Sequence, residues 1–151
     1  MAEVYPIEEL LPYWVYRVQT EGVALLGRRF KGAGIDVTPE QFGVLVRLAV
    51  EQGMNQAQLA ERMLKDRPNM TRILNQLEKR GYIERRPDSS DKRIFRIFLT
   101  ENGREVQEEL MPIFERHLDE LLDGILDPDQ KVTCGILKRI IGNIHNCGRE
   151  F

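Results

Sequence analysis

The sequence contains few residues of the kinds that build metal centres and disulfide scaffolds. Two of its 151 residues are cysteine and two are histidine. Cys134 and Cys147 lack the spacing of a metal knuckle, and on one helix a rise of roughly 20 Å would separate them, too far for a disulfide bond. His117 and His145 are also widely separated in the sequence. We therefore expect two reduced thiols and no metal site.

Long apolar runs and catalytic motifs are missing as well. No run approaches the ~20 apolar residues that a membrane-spanning helix requires. The opening residues MAEVYPIEELL lack the basic start and apolar stretch of a signal peptide. Neither a phosphate-binding loop nor a cluster of metal-ligating residues is present. The sequence thus predicts a cytoplasmic protein with no membrane partner, no catalytic residues and no cofactor.

Charge is distributed unevenly along the chain. The composition, 42% hydrophobic and 30% charged, is typical of one soluble globular domain, and the formal net charge is −2. Residues 62–96 carry eleven Lys and Arg against five Asp and Glu, a net charge of +6 that leaves −8 for the rest. This asymmetry indicates a basic surface for a polyanion on an acidic body, although chance clustering of solvated charge would give the same count.

Helix-start signals occur three times in the first half of the chain. Pro12 fits the first turn of a long helix. Thr38 and Gln41 have the spacing of a capping box, in which the two residues satisfy each other's free backbone N–H groups. Asn55 and Gln58 repeat that spacing ahead of a short helix. We therefore expect a long helix, a second helix and then a short one.

The segment DRPNMTRILNQLEKRG predicts an amphipathic helix with Asp66 as its cap. Met70, Ile73, Leu74 and Leu77 are spaced i, i+3, i+4 and i+7, which assigns one face to the core. The opposite face carries Arg67, Asn69, Thr71, Arg72, Asn75, Gln76 and Lys79. The donors and acceptors of these side chains match base edges and phosphates in a major groove.

A β-hairpin and two further helices follow. YIERR and RIFRIFL have the composition of antiparallel strands, and the polar residues between them form a hairpin loop. Thr100 caps a helix predicted over residues 101–125, in which Pro112 should cause a kink. Asp127 and Gln130 have capping-box spacing before the last helix, predicted over residues 128–146. The order predicts a mainly α fold with a two- to three-stranded β-wing, a winged helix-turn-helix between N- and C-terminal dimerisation helices.

Several spaced segments together resemble the MarR family of bacterial transcription regulators. They are LAERM, then RPNMTRILNQLEKRGYIERRPD, then DKR and LTENG, and the likeness covers nearly the whole chain. Leu64 and Lys65 stand where the family usually has a glycine and an apolar residue, and Ser90 replaces a frequent wing cation. The resemblance implies a homodimer, most often a repressor, that binds pseudo-palindromic double-stranded DNA and is often released by a small-molecule effector.

The candidate DNA-binding residues come from the polar helix and the wing. Base readers would be Arg67, Asn69, Thr71, Arg72 and Asn75, with Gln76 beside them. Phosphate contacts would come from Lys79, Arg85, Arg86, Ser89 and Ser90, and Lys92 and Arg93 would reach phosphates or a minor groove. Asp91 is expected to brace Arg93 rather than touch DNA. The alternative for each residue is ordinary solvated surface, and for the two serines simple turn formation.

The remaining predictions concern assembly and regulation. The apolar faces of the flanking helices exceed what a winged-helix unit can cover, so a partner copy is expected to bury them. Within a single domain, residues 36–100 would form a DNA-binding lobe, and residues 1–35 with 101–151 a dimerisation lobe. Trp14, Arg17 and Arg47 are candidates for an effector pocket, and equally for packing and surface positions. Two alternatives stay open: a winged-helix module that binds protein, and a thiol-based redox sensor of the same fold.

Overall fold

A computed structural model of the protein describes residues 6–147. Within these residues a short 3₁₀ helix, Ile7–Glu9, precedes six α-helices and three short strands. The helices are α1 (Leu11–Gly32), α2 (Pro39–Val50), α3 (Gln56–Arg62), α4 (Arg67–Lys79), α5 (Glu101–Leu121) and α6 (Asp127–Cys147). The strands are β1 (Met54–Asn55), β2 (Ile83–Pro87) and β3 (Phe95–Leu99). This order confirms the predicted mainly α fold with a small wing.

The predicted starts of α2, α3 and α4 are confirmed. Both capping boxes form, at Thr38 with Gln41 and at Asn55 with Gln58. At the start of α4, the Asp66 carboxylate accepts a hydrogen bond from the backbone N–H of Asn69 at 2.8 Å. These side chains satisfy N–H groups that have no partner inside the helix, so the local sequence defines where each helix begins.

Two predicted boundaries near the C-terminus are wrong. Helix α5 ends at Leu121, four residues before the predicted end, and the turn that follows contains Gly124 with a φ of 74°. That left-handed conformation is accessible to glycine and cannot continue a helix. The predicted capping box at Asp127 does not form either. Asp127 is already the first residue of α6, and Gln130 donates its side-chain N–H to the carbonyl of Ile125 at 2.8 Å.

The three strands form one antiparallel sheet in the order β1–β3–β2. Ile97 lies at its centre, paired with Met54 on one side and with Arg85 on the other. The loop from residue 88 to residue 94 joins β2 to β3 and forms the tip of the wing. Because Met54, Ile83 and Ile97 are buried, the sheet turns one face into the core.

The core joins the first five helices to the sheet. The four apolar residues of α4 that the spacing assigned to the core, Met70, Ile73, Leu74 and Leu77, are all buried. Phe42 of α2 packs against Phe30 of α1 with ring centroids 5.2 Å apart and against Phe114 of α5 at 5.5 Å. With one face of α4 fixed in this way, its polar face is held toward solvent.

The described residues divide into two compact units, with the boundary between His117 and Leu118 inside α5. In the first unit, the N-terminal half of α1 exposes Leu11, Trp14, Val15, Tyr16 and Val18. In the second unit, α6 exposes Val132, Ile136, Ile141 and Ile144. Residues 6–147 contain no helix that is long and apolar enough to span a membrane.

Candidate nucleic-acid interface

Helix α4 presents the predicted polar face to solvent. Six of the seven candidate side chains on it are exposed and Thr71 is half-buried. Arg67 lies in the first turn, Arg72 in the middle and Lys79 at the last residue, so cations occur along the whole length of the helix. A row of cations interleaved with amides suits a surface that contacts both phosphates and base edges.

Some polar side chains of α4 are already engaged inside the protein. Asn69 donates a side-chain N–H to the Asp66 carboxylate at 3.0 Å. The hydroxyl of Thr71 accepts a hydrogen bond from Gln56 of α3 at 2.6 Å and donates to the carbonyl of Arg67 at 2.9 Å. The Thr71 hydroxyl thus connects the two helices of the helix-turn-helix, which leaves its methyl group for an apolar contact with DNA.

Gln76 connects α4 to α2. Its side-chain oxygen accepts a hydrogen bond from the side-chain N–H of Gln41 at 2.9 Å. Gln41 is buried, and its own oxygen accepts from the backbone N–H of Thr38 at 3.0 Å. A buried amide is costly unless its donors and acceptors are paired, so this pair helps to fix the position of α4.

Arg85 and Arg86, predicted to hold phosphates, both have protein partners. Arg85 forms an ion pair with Glu78 and donates to the side-chain oxygen of Asn75 at 2.9 Å, which fastens β2 to α4. Arg86 pairs with Glu84 and stacks over the ring of Phe98, 4.6 Å from its centroid. Each guanidinium has further N–H donors, so a phosphate contact stays a prediction for both.

The wing loop is organised around the buried carboxylate of Asp88. It accepts hydrogen bonds from the hydroxyl and the backbone N–H of Ser90, at 2.5 and 2.8 Å, and from the backbone N–H of Asp91 at 3.1 Å. It also forms an ion pair with Arg96 of β3. The Ser90 hydroxyl and Arg96 hold the pKa of Asp88 well below its usual range, because each favours the charged carboxylate.

Arg96 completes this arrangement by donating to the carbonyl of Gly53 at 2.9 Å. Asp88 and Arg96, which support the wing, are not among the site residues predicted from the sequence. An Asp directly before two serines is typical of a turn in which the carboxylate binds the following N–H groups, so a local signal existed for Asp88. None existed for Arg96.

The predicted wing-tip residues lie in the same loop. The Asp91 carboxylate accepts a hydrogen bond from the backbone N–H of Arg93 at 3.0 Å, so it contacts the backbone of Arg93. Ser89, Lys92 and Arg93 are exposed. Because the Ser90 hydroxyl donates to Asp88, the position of Ser90 is accounted for without DNA.

A cleft of about 720 Å³ lies between the helix-turn-helix and the wing. Arg67 of α4, Arg85 of β2 and Arg93 of the wing loop all line it, together with Gln56 of α3. Cations from three elements thus face one concave space, where the field of like charges adds and attracts polyanions. The structure brings these three predicted site residues together.

The effector-pocket candidates lie on α1 and α2. Trp14 is about half exposed and donates its ring N–H to the carbonyl of Glu8 at 2.7 Å. Hydrogen bonds to Glu21 and to the Tyr13 hydroxyl, the latter at 2.8 Å, raise the pKa of Arg17 above its ordinary value. Arg47 is exposed on α2 and does not line the cleft beside the wing.

Comparison with known proteins identifies the family. The MarR family model matches residues 37–95, which include α2, α3, α4, β2 and the loop at the tip of the wing. A Bacillus subtilis HTH-type transcriptional regulator, YybA, is 32% identical over 110 residues, which are 73% of this chain and 73% of the relative. The chain belongs to the MarR family.

Two further proteins are similar to this chain over a larger share of its length. The transcriptional repressor MprA of Escherichia coli K12 is 30% identical over 145 residues, covering 91% of this chain and 81% of MprA. The solved structure of the transcriptional repressor CouR, bound to a 23-mer DNA duplex, is 29% identical with a TM-score of 0.80, covering 89% of this chain and 94% of that one. These relatives confirm the predicted winged-helix fold class and the prediction of a DNA-binding transcription regulator.

Proposed function

We propose that the protein is a homodimeric repressor that binds a pseudo-palindromic operator in double-stranded DNA. The observation that carries this proposal is the two-faced helix α4. Its apolar face is buried in the core, while its cations and amides face solvent beside a wing that also carries cations. Such a helix followed by a two-stranded wing suits insertion into a major groove. A double-stranded DNA target supports a cytoplasmic location for the protein.

Arg67, Arg72 and Asn75 are the proposed base readers. An arginine can form two hydrogen bonds with guanine and an asparagine two with adenine. Arg67 and Arg72 project from the first and second turns of α4. Asn75 also accepts a hydrogen bond from Arg85, which fixes the direction of its amide. Arg85 is therefore proposed as the residue that positions Asn75.

Phosphate and minor-groove contacts are assigned to the outer cations and hydroxyls. Lys79 closes α4, and Lys92 and Arg93 are exposed at the wing tip. A narrow minor groove attracts arginine and lysine because its negative potential is enhanced. The other predicted phosphate contacts, Arg85, Arg86, Ser89 and Ser90, stay secondary proposals, since both arginines and one serine have protein partners.

Residues 36–100 form the proposed DNA-binding lobe. Dimerisation is assigned to the helices outside this range. Tyr16 and Val18 of α1 are each more than half exposed, and so are Ile141 and Ile144 of α6. A second copy would remove these apolar side chains from water, and a twofold axis would place two α4 helices on half-sites about 10 base pairs apart.

Release by an effector is proposed near Trp14 and Arg17, with Arg47 as a further candidate. The Trp14 ring stands edge-on to Tyr13, and the Arg17 guanidinium lies 5.7 Å from the centre of the Tyr13 ring. A cation among exposed rings suits an aromatic acid. Such a ligand would lower DNA affinity only by binding two conformations of the dimer unequally. Because Trp14 is the sole tryptophan, its fluorescence would report binding directly.

The test is fluorescence anisotropy with the full-length protein, a duplex from upstream of its own gene, a duplex selected by the protein from a random library, and a scrambled duplex. Specific regulators bind their sites typically 10³- to 10⁷-fold tighter than other DNA, and affinity falls steeply with salt. Enrichment of a palindrome with this selectivity is the expected result. Equal, weak binding to all three duplexes would refute the proposal and favour the protein-binding alternative.

A further inference from the structure

One stripe of α4 contacts the segment at the start of α2. The stripe consists of residues four apart, Arg72, Gln76 and, directly after the last residue of the helix, Arg80. Their partners are Glu40, Gln41 and Asp36. Gln76 and Arg80 form ordinary hydrogen bonds of 2.9 and 2.6 Å. The Arg72 guanidinium lies 3.6 Å from the Glu40 carboxylate, an ion pair too long for a hydrogen bond. Among these three contacts, Arg72 is therefore held least firmly.

Glu40 divides its carboxylate between two cations. One oxygen pairs with the ammonium group of Lys65 in the turn between α3 and α4, and the other faces Arg72. The Lys65 side chain is 30% exposed, that of Glu40 38% and that of Arg72 53%. If Arg72 swings away, Lys65 still neutralises the carboxylate, so the move does not leave a charge without a partner.

We propose that Glu40 determines the DNA selectivity of this regulator by restraining Arg72. The inference rests on the proposed function, in which Arg72 reads a base. A guanine in register accepts hydrogen bonds from one edge of the guanidinium while the other edge stays beside Glu40, so the specific complex keeps the ion pair. A phosphate of unrelated DNA has to pull the guanidinium away from Glu40, so each such contact is weakened by the loss of the ion pair.

The charge of Glu40 acts in the same direction. The Glu40 carboxylate beside α4 repels phosphates that approach in the wrong register. Unfavourable contacts of this kind contribute to specificity by weakening incorrect complexes. A purely structural role would have a different consequence. If Glu40 only fastened the α3–α4 turn to α2, its loss would loosen α4 and weaken binding to all DNA equally.

The experiment compares Glu40→Gln with wild type on a duplex that the wild-type protein has selected from a random library, and on a scrambled duplex of the same composition. Glu51→Gln is the matched control, because Glu51 forms a similarly exposed ion pair, 2.8 Å from Arg62, and the substitution changes the net charge identically. Arg72→Ala and the Glu40→Gln/Arg72→Ala double variant complete a thermodynamic cycle. Thermal unfolding verifies that each variant is folded.

Glu40→Gln should bind the scrambled duplex about two- to five-fold tighter, the range expected for releasing one exposed ion pair. The affinity of Glu40→Gln for the scrambled duplex should also fall more steeply with salt than that of wild type. The slope of log affinity against log salt concentration should be steeper by about 0.9, because one more phosphate is contacted. Affinity for the selected duplex should stay within about two-fold of wild type. Glu51→Gln should show neither change, and Arg72→Ala should abolish the gain.

Equal weakening on both duplexes would overturn the inference in favour of the fastening role. A gain that persists in the Arg72→Ala background, or that Glu51→Gln reproduces, would overturn it as a general charge effect. The library selection with wild-type protein comes before any variant is measured. If it enriches no sequence, the proposed function itself fails.

Discussion

Leu64 provides a direct test of backbone strain in the helix-turn-helix. Among residues 6–147 it is the sole non-glycine residue with a positive φ, 51°, and its side chain is 92% exposed. An L-residue in the left-handed region costs roughly 1–2 kcal/mol, whereas glycine adopts it freely but loses about 0.5–1 kcal/mol more backbone entropy on folding. Because no buried contact is lost, Leu64→Gly should stabilise the protein by about 0.5–1 kcal/mol.

The assay is urea unfolding at fixed protein concentration, since dimerisation makes the midpoint concentration-dependent. The midpoint should rise while the slope with denaturant stays unchanged, because the surface exposed on unfolding is the same. Leu64→Asn should also stabilise, since asparagine tolerates this conformation, and Leu64→Ala should change little because its Cβ keeps the strain. A lower midpoint for Leu64→Gly, or an equal gain for Leu64→Ala, would refute the reasoning.

Three further predictions follow from close contacts, charge and the proposed reading residues. Gly103→Ala should destabilise the protein by about 3 kcal/mol or more, seen as a lower unfolding midpoint, because a Cβ there would lie 1.9 Å from the Tyr82 carbonyl oxygen. Asp88→Asn should lower the thermal midpoint above about pH 5, where the carboxylate is charged in folded and unfolded protein. The deficit should shrink below about pH 4, since the lowered pKa of Asp88 stabilises only while the carboxylate is ionised, and a pH-independent deficit would contradict this. Arg72→Ala should cost about 1–3 kcal/mol on the selected duplex and relax preference at one base step, whereas Lys79→Ala should weaken all DNA similarly. Repeating the library selection separates the last two outcomes, and Lys31→Ala, which removes an exposed cation from the end of α1, controls for net charge.

The features that the sequence predicted well are those encoded by neighbouring residues. The capping boxes at Thr38 and Asn55 and the apolar spacing of α4 each depend on residues within two helical turns, so the pattern itself contains the physical cause. The end of α5 was missed because its apolar stripe continues past Leu121, and a conformation at Gly124, rather than composition, stops the helix.

The partners of the site residues could not be read from local patterns. Gln41 and Gln76 are 35 positions apart, and Arg72 and Glu40 are 32 apart. The sequence shows the charge of Arg85 but does not show that the fold places Glu78 and Asn75 beside it. Composition located the basic surface, whereas the tertiary fold determines which of its cations have protein partners.

Helix α2 carries both elements that approach DNA, one at each of its ends. Its first turn holds α4 through Gln41. Just past its last turn, Gly53 donates its N–H to the carbonyl of Ile97 and accepts from Arg96, both at 2.9 Å, so the base of the wing is fastened there. If α2 shifts, α4 and the wing are therefore expected to move together with it. A displacement of α2 in each copy of a dimer would change the distance between the two α4 helices while leaving the shape of each DNA-binding surface unchanged.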